Sequence, residues 1–221
     1  SNRQLWIGTG AYGNEGSGLN RFDPSTGKAV RYQHNKNDSD SLSSNNIAAI
    51  YEDKDGIFWI ATGGFSLPGG GLNQFDPNTG KAVAHKVNPY NPDSIGDNDL
   101  MSLWGDASGT LWIGTWAHGL SRMELSQPGV FTNYQNDPYF KDSLSGNEVW
   151  SLFKDRLGVL WVGTSHSGIN KLSASTGQFS LYQNNPSDPT SLGTNATGAF
   201  AEDTHGNIWV ATWGAGLDRF N

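Results

Sequence analysis

Six aromatic and histidine side chains follow closely on a recurring W-φ-G/A-T string, and their chemistry suits ligand binding. Flat rings stack on the apolar faces of sugars, while histidine and nearby Asn and Ser groups hydrogen-bond to hydroxyls. Several exposed aromatic rings on one surface favour an interaction site. The sequence therefore predicts a binding set for a neutral oligosaccharide or other small polar ligand: Tyr12, Phe65, Trp116, His118, His166 and Trp213.

Catalytic and metal chemistry find little support in the same residues. Hydrolysis of a glycosidic bond needs two carboxyl groups across that bond, and no spacing pairs the acidic candidates: Glu15, Asp97, Asp99 and Glu148. A zinc site shared by His118 and His166 lacks a third ligand, and the chain contains no cysteine. No nucleophile elbow, phosphate-binding loop or dinucleotide fingerprint occurs. We expect no catalytic residue, no metal and no cofactor.

One repeated string accounts for nearly the whole chain of 221 residues. The string L-W-I-G-T at residues 5–9 returns four times with small changes. A period near 50 residues is typical of a propeller or a solenoid. The tryptophans of the five copies are Trp6, Trp59, Trp112, Trp161 and Trp209.

Each repeat contains four short runs of apolar or alternating residues bounded by Gly, Pro, Asn and Asp, which predicts β-strands. We label them A to D: A follows an Asn, B is the W-φ-G/A-T string, C follows Gly-Leu or Gly-Ile, and D ends on Tyr or His. No stretch keeps a 3.6-residue period, so we expect essentially no helix. The prediction is an all-β fold, a β-propeller built from four-stranded blades.

The domain prediction is a single propeller over residues 1–221, or an excerpt of a larger propeller. About five repeats are visible, and the first and last are incomplete because they contain three strands each. An excerpt is the preferred interpretation, and self-association through the incomplete end blades is the alternative. The approximate repeat boundaries are 1–44, 45–97, 98–146, 147–194 and 195–221.

Loop lengths indicate which surface carries function. The B–C loop is the segment that varies substantially between repeats: it is long at residues 10–17 and 63–70 and short at 116–118, 165–167 and 213–215. Because antiparallel strands alternate in direction, the B–C and D–A loops share one face, and insertions on repeat scaffolds map to binding faces. In the competing arrangement, Trp116 and Trp213 fold inward and plug the central channel.

Three recurring residue types have structural explanations. The strand B tryptophans recur at one pleat position, which predicts packing between blades. The Asp residues of the D-x-x-G turns are expected to bond to their own backbone, and the strand A asparagines to hold the D–A loops. Ligand contact stays open for the asparagines because they lie near the inner rim: Asn45, Asn98, Asn147 and Asn195.

Charge excludes one class of partner. The chain has 14 Lys and Arg against 21 Asp and Glu, a formal net charge of −7. A phosphate backbone attracts clustered basic residues, so we expect no nucleic acid partner. No apolar run reaches the roughly 18 residues of a membrane span, so we expect no direct membrane insertion of this region.

The repeat resembles the two-component regulator propeller family. The resemblance is carried by Asn45, Asp53, Gly56, Trp59 and Thr62 and recurs in register in the later units. It implies a periplasmic or extracellular sensor region of a bacterial receptor of the hybrid histidine kinase type, non-catalytic itself, with any kinase elsewhere in the parent protein. Several such sensors respond to oligosaccharides. Streptogramin lyases and sialidase-like propellers have similar hairpins, so a stand-alone propeller lectin or a lyase- or glycosidase-like enzyme is the alternative.

Overall fold

The fold is described from a computed structural model that covers residues 4–10, 15–64, 67–173 and 176–220. These residues form strands, turns and loops, and none of them lies in a helix. No helix long and apolar enough to cross a membrane occurs among them. The prediction of an all-β fold is confirmed.

The strands form five antiparallel sheets, each a meander in which consecutive strands pair. Blade 1 contains β1 (Leu5–Gly8), β2 (Leu19–Asp23) and β3 (Lys28–Tyr32). Blade 2 contains β4 (Ile47–Glu52), β5 (Phe58–Thr62), β6 (Leu72–Asp76) and β7 (Lys81–His85). Blade 3 contains β8 (Leu100–Gly105), β9 (Thr110–Thr115), β10 (Leu120–Glu124) and β11 (Phe131–Tyr134).

Blade 4 contains β12 (Val149–Lys154), β13 (Leu160–Thr164), β14 (Ile169–Leu172) and β15 (Phe179–Tyr182). Blade 5 contains β16 (Thr197–Glu202), β17 (Ile208–Thr212) and β18 (Gly216–Phe220). Strand A of blades 2 to 5 corresponds to β4, β8, β12 and β16. Each of these strands contacts the next, and together they line the propeller axis. These four inner strands bring the loops of successive blades to a common rim.

Aromatic side chains between the blades form the core that holds successive sheets together. The residue that ends strand D stacks on the strand B tryptophan of its own blade, with ring centroids 5.6 to 6.1 Å apart. Its other side contacts a phenylalanine of the next blade at 5.1 to 6.1 Å. Each such pair contributes roughly 0.5–1.5 kcal/mol beyond its buried area. The four strand D residues are Tyr32, His85, Tyr134 and Tyr182.

The tryptophans of strand B are structural, as their repetition predicts. Trp59 is only 1 % exposed, and Trp112 and Trp161 are also buried. The indole Nε1–H groups of Trp59 and Trp161 donate to the Asp of their own A–B turns, at 2.9 and 2.8 Å. These hydrogen bonds satisfy a polar group that burial alone would leave unpaired.

The same turn carboxylates bond to their own backbone, which accounts for the D-x-x-G pattern. Asp203 accepts backbone N–H groups at 2.8 and 3.0 Å and the indole of Trp209 at 3.0 Å. Hydrogen bonds from the Asn207 side chain and from Trp209 hold the pKa of Asp203 well below its usual range. Burial raises the pKa of Asp106, but hydrogen bonds from Lys154 and Ser108 outweigh it and lower that pKa overall.

His85 is the exception among the residues that end strand D, and it generates a testable prediction. Its Nε2 atom is buried without a hydrogen-bond partner among the described residues, and burial lowers the pKa of the ring. A depressed histidine pKa means that the unfolded chain takes up a proton as pH falls through its ordinary value while the folded chain stays neutral. Acid therefore removes stability at this position.

We expect His85→Tyr, which restores the residue of the other three blades, to raise the free energy of unfolding more at pH 5 than at pH 8. Urea unfolding at the two pH values measures this difference. The reciprocal variant Tyr134→His is the control, because it places the same ring at the equivalent position of blade 3 and should add acid sensitivity. An equal effect of His85→Tyr at both pH values would contradict the assignment.

Candidate functional site

The B–C loops have a common closure that does not depend on their length. The threonine that ends strand B donates its hydroxyl to the carbonyl of the glycine before strand C, at 2.7 to 3.0 Å in all five blades. In four blades its oxygen also accepts the N–H of the residue before that glycine. Because the closure involves only the loop ends, the residues between them are free to vary.

The glycine that begins strand C cannot be replaced without distortion. Gly71, for example, has φ of +86°, and a Cβ there would lie 2.2 Å from the carbonyl oxygen of His85. Only glycine adopts this conformation and approach without strain. The close approach lets its N–H reach the next blade, where it donates to the carbonyl of Asn98 at 3.0 Å.

The strand A asparagines hold the D–A loops, as the sequence predicts. In each case Oδ1 accepts the N–H at the start of that loop, from His34, Val87, Asn136 and Asn184, at 2.6 to 2.9 Å. The carbonyl of the same asparagine accepts the glycine N–H of the preceding blade, at 2.8 to 3.1 Å. One residue therefore fixes both loop types to each other at four successive junctions: Asn45, Asn98, Asn147 and Asn195.

These bonds place two sets of short segments around the propeller axis, which together we call the inner rim. The D–A loops contribute 44–46, 97–99, 146–148 and 194–196, and the B–C loops contribute 63–64, 116–118, 165–167 and 213–215. The rim contains the carboxylates Asp97, Asp99 and Glu148 and no Lys or Arg. Its charged groups are therefore acidic, apart from histidines that become protonated.

Two of the rim carboxylates serve the loops. Asp97 accepts the Nδ1 of His118 and the N–H of Ala117, both at 3.1 Å. Asp99 accepts the N–H of Gly69 from the long loop of blade 2. These bonds account for two of the acidic residues that the sequence singles out as catalytic candidates.

The six predicted binding residues fall into three groups. Tyr12 and Phe65 lie outside the described residues. Trp116 is partly exposed and His118 is exposed, and both belong to the B–C loop of blade 3, where His118 pairs with Asp97. His166 and Trp213 come from blades 4 and 5, and the structure brings them to one place.

His166 and Trp213 meet at a third aromatic residue, Trp150, on the inner strand of blade 4. The ring of Trp150 lies 6.2 Å from that of His166 and 5.9 Å from that of Trp213, at 68° and 76°. Trp213 keeps 53 % of its surface exposed. We call Glu148, Trp150, Ser165, His166 and Trp213 the rim cluster.

Hydrogen bonds fix the polar half of the rim cluster. The hydroxyl of Ser165 donates to Glu148, and Nδ1 of His166 lies 2.7 Å from the same hydroxyl oxygen. Because a hydroxyl has one proton, the Nδ1–H of His166 must be the donor in that second bond. In the neutral ring Nε2 is then an acceptor, directed away from Ser165.

Blades 4 and 5 divide large and small side chains differently between strand and loop. A β-bulge near the start of each inner strand leaves one residue outside the regular ladder, and in blades 4 and 5 it is Trp150 and Gly198. A Cβ on Gly198 would lie 3.2 Å from Nε1 of Trp213. Blade 5 thus combines a small strand residue with a large loop residue, whereas blade 4 combines Trp150 with Ser165.

Two of the clefts on this loop face lie at the inner rim. A cleft of about 360 Å³ lies between blades 1 and 2, with Glu15, His34, Asn46 and Gly69 among its lining residues. A smaller one of about 110 Å³ lies in blade 4 beside Glu148, Ser165 and His166. The second belongs to the rim cluster, which therefore combines aromatic rings, hydrogen-bond acceptors and open space.

The opposite face has a cleft of about 370 Å³ lined by turn residues of blades 2 and 3. Its acidic groups are engaged in structural contacts: Asp53 with Trp59, Asp106 with Lys154 and Glu124 with Arg122. Among the residues that the structure describes, no group of three His, Asp or Glu could hold a metal ion. The loop face remains the better candidate surface.

Comparison with protein families identifies the repeat. Residues 41–64, 143–166 and 191–214 match the model of the two component regulator propeller. Each match spans the end of a D–A loop, an inner strand and strand B. The resemblance of the repeat to that family is confirmed. A search of curated proteins gives no match.

Solved structures agree with the propeller fold. The extracellular domain of a protein assigned to the hybrid two-component systems of B. thetaiotaomicron is 24 % identical, with a TM-score of 0.74 over 100 % of this chain and 28 % of the other. One assigned to a one-component system of that organism is 26 % identical, with a TM-score of 0.72 over 99 % and 28 %. Both are extracellular domains, in agreement with the predicted periplasmic or extracellular location.

An enzyme also shares the fold at greater distance. A streptogramin B lyase structure is 18 % identical, with a TM-score of 0.55 over 84 % of this chain and 56 % of the lyase. The chain spans less than a third of the length of the two extracellular domains described above. Activities of complete proteins therefore do not transfer directly to this chain.

The asparagine junction yields a prediction about the loop face. Asn98→Ala removes the acceptor of the Val87 N–H, and we expect a loss of about 1 kcal/mol in the free energy of unfolding. Asn98→Asp keeps an oxygen near the position of Oδ1 and should retain most of that stability. Chemical denaturation of the two variants measures the difference, and equal losses would mean that Oδ1 is not the important atom.

Proposed function

We propose that this chain, which carries repeats of the two component regulator propeller family, is the extracytoplasmic ligand-sensing propeller of a bacterial two-component-type signalling receptor. In this proposal it recognises an oligosaccharide or another small polar ligand and performs no chemistry itself. Any kinase activity would belong to another part of the parent protein. The family of the repeat supports the signalling context, and the rim cluster supports ligand binding.

The observation that carries the proposal is the contrast between a constant scaffold and a variable rim. Threonine, glycine and asparagine make the same bonds in successive blades, while the residues after the threonine change from Trp116 to Ser165 to Trp213. A surface whose loop-end hydrogen bonds are the same in each blade, and whose exposed side chains differ, suits recognition of one particular ligand. The partly exposed rings at the rim supply stacking surfaces for apolar sugar faces.

The competing function is a stand-alone propeller lectin or a lyase- or glycosidase-like enzyme, and the fold shared with a lyase supports it. Against catalysis, Asp97 and Asp99 already accept hydrogen bonds from the loops. The parent reading frame separates the two functions. A membrane span followed by a kinase or cyclase supports the sensor, whereas a secretion signal and immediate termination support the alternative.

Removal of the rim rings should abolish sugar binding. We expect glycan fragments titrated by calorimetry to bind the wild type, and the Trp116→Ala/Trp213→Ala double variant to lose at least tenfold in affinity, about 1.4 kcal/mol. Loss of stacking on two aromatic rings is the physical reason.

The matched control is Tyr90→Ala/Tyr139→Ala. It too removes two aromatic rings, but these rings lie in D–A loops outside the inner rim, where Tyr90 and Tyr139 are 95 % and 92 % exposed. This variant should bind as the wild type does. Unchanged binding by the tryptophan double variant, or a loss confined to the tyrosine double variant, would contradict the assignment of the rim.

A further inference from the structure

The rim cluster contains a carboxylate that does not hold a loop of the preceding blade. At the equivalent position of blades 2 and 3, Asn46 and Asp99 accept the N–H of a glycine in the long B–C loop of the preceding blade, Gly16 and Gly69. Blade 3 has a short loop, so the extra residues that would reach Glu148 are missing. Blade 5 also follows a short loop, and it has Ala196 there. Glu148 therefore does not hold the loop of the preceding blade, as Asn46 and Asp99 do.

Glu148 is partly open to solvent and has unused acceptor capacity. Its side chain is 45 % exposed, and its Oε2 accepts the Ser165 hydroxyl. A carboxylate has about four lone-pair positions over its two oxygens, so this bond leaves acceptor sites free. The Nδ1 edge of His166 faces the same groups, with Nδ1 2.7 Å from the Ser165 hydroxyl oxygen and 3.7 Å from Oε2 of Glu148. The site presents acceptors, and a ligand that complements it must donate.

The charge and shape of the rim further limit the chemical class of ligand that it can bind. The inner rim contains no Lys or Arg, so an anionic group would meet Asp97, Asp99 and Glu148 without a fixed positive partner. The rings of Trp150 and Trp213 stand at 76° to each other, with the Trp150 ring 6.2 Å from that of His166, and aromatic faces attract cations. The cleft beside Glu148 measures about 110 Å³ and opens to solvent, so a substituent of a larger saccharide can enter it.

We infer that the rim cluster recognises a protonated primary amine carried by a saccharide, as in an amino sugar. The ammonium donates to the free acceptor positions of Glu148, while the apolar face of the attached sugar ring packs against Trp213. This inference deepens the proposed function and depends on it, because it assigns a chemical class to the ligand of the same surface. An ammonium complements the lone pairs of a carboxylate beside an aromatic wall.

The test compares two probes that differ at the amino groups. One is the chitosan trisaccharide, three glucosamine units with protonated amines, and the other is its N-acetylated counterpart of equal length. Calorimetry at a pH where the amines are protonated should give about tenfold tighter binding of the amine form. Raising the salt concentration should weaken that form and not the acetylated form.

Two glutamate variants locate the interaction. Glu148→Gln keeps a hydrogen-bond acceptor for Ser165 but removes the charge, and should lower affinity for the amine trisaccharide about tenfold, leaving the acetylated form unchanged. Glu52→Gln makes the same change in net charge at an exposed position at the far end of β4 and should have no effect. The fold tolerates alanine at the position equivalent to 148 in blade 5, and thermal unfolding of the variant checks that it folds.

Equal affinity for the two trisaccharides, with no effect of Glu148→Gln, would overturn the amine assignment and leave the ligand-sensing function standing. No binding of the amine trisaccharide, or equal losses in Glu148→Gln and Glu52→Gln, would overturn it as well. Failure of the proposed function would give a different result: the Trp116→Ala/Trp213→Ala double variant would then bind every glycan with the same affinity as the wild type.

Discussion

The loop face depends on a glycine that is bonded to two blades at once. Its carbonyl closes the B–C loop of its own blade through the threonine hydroxyl, and its N–H donates to an asparagine carbonyl of the next blade. At Gly71 the strand D carbonyl of its own blade lies where a side chain would begin. Buried backbone groups that lack a partner are costly, so each of these bonds constrains the positions of both loops.

This junction explains how one scaffold supports different rim residues. Loop ends are held by threonine and asparagine in each case, whereas aromatic stacking between the blades supplies the core. Side chains between the fixed ends contribute little to that core and are free to serve recognition. Trp213 lies over Gly198 in blade 5, whereas blade 4 has Trp150 at the equivalent strand position and Ser165 at the equivalent loop position. Variation at the rim is therefore compatible with a constant fold.

Much of this architecture could be predicted from the sequence because it repeats. Strand D ends at Tyr32, His85, Tyr134 and Tyr182 as expected, and the roles of the strand A asparagines follow from their constant spacing. His166 and Trp213 belong to the predicted binding set because they lie in the loops, and their role in binding stays a prediction. Trp150 is not in that set, because it lies at a β-bulge, where the shift of register between Val149 and Ser151 breaks the two-residue alternation that assigns faces.

The indole–Asp hydrogen bonds and the different roles of Asp99 and Glu148 were also not predicted, because both depend on contacts between residues that are not adjacent in sequence or that lie in different blades. The hydrogen bonds from the indoles of Trp59, Trp161 and Trp209 to their turn Asp residues each span six residues at the end of a hairpin, and the D-x-x-G-x-φ-W spacing is the signal that could have found them. The distinction between Asp99 and Glu148 depends on whether the preceding blade has a long loop. Asp99 follows the long B–C loop of blade 2, whereas Glu148 follows the short B–C loop of blade 3. The length of the preceding blade's loop therefore distinguishes their roles.

The most direct test of the account is to record which tryptophan indole signals respond to a ligand in proton–nitrogen correlation spectra. During titration with the chitosan trisaccharide, the account predicts that the indole signals of Trp150 and Trp213 shift. Those of Trp59, Trp161 and Trp209 should stay in place, because they donate to Asp side chains away from the rim. Shifts confined to the second group, or binding that leaves Trp150 and Trp213 unaffected, would contradict a ligand site at the inner rim.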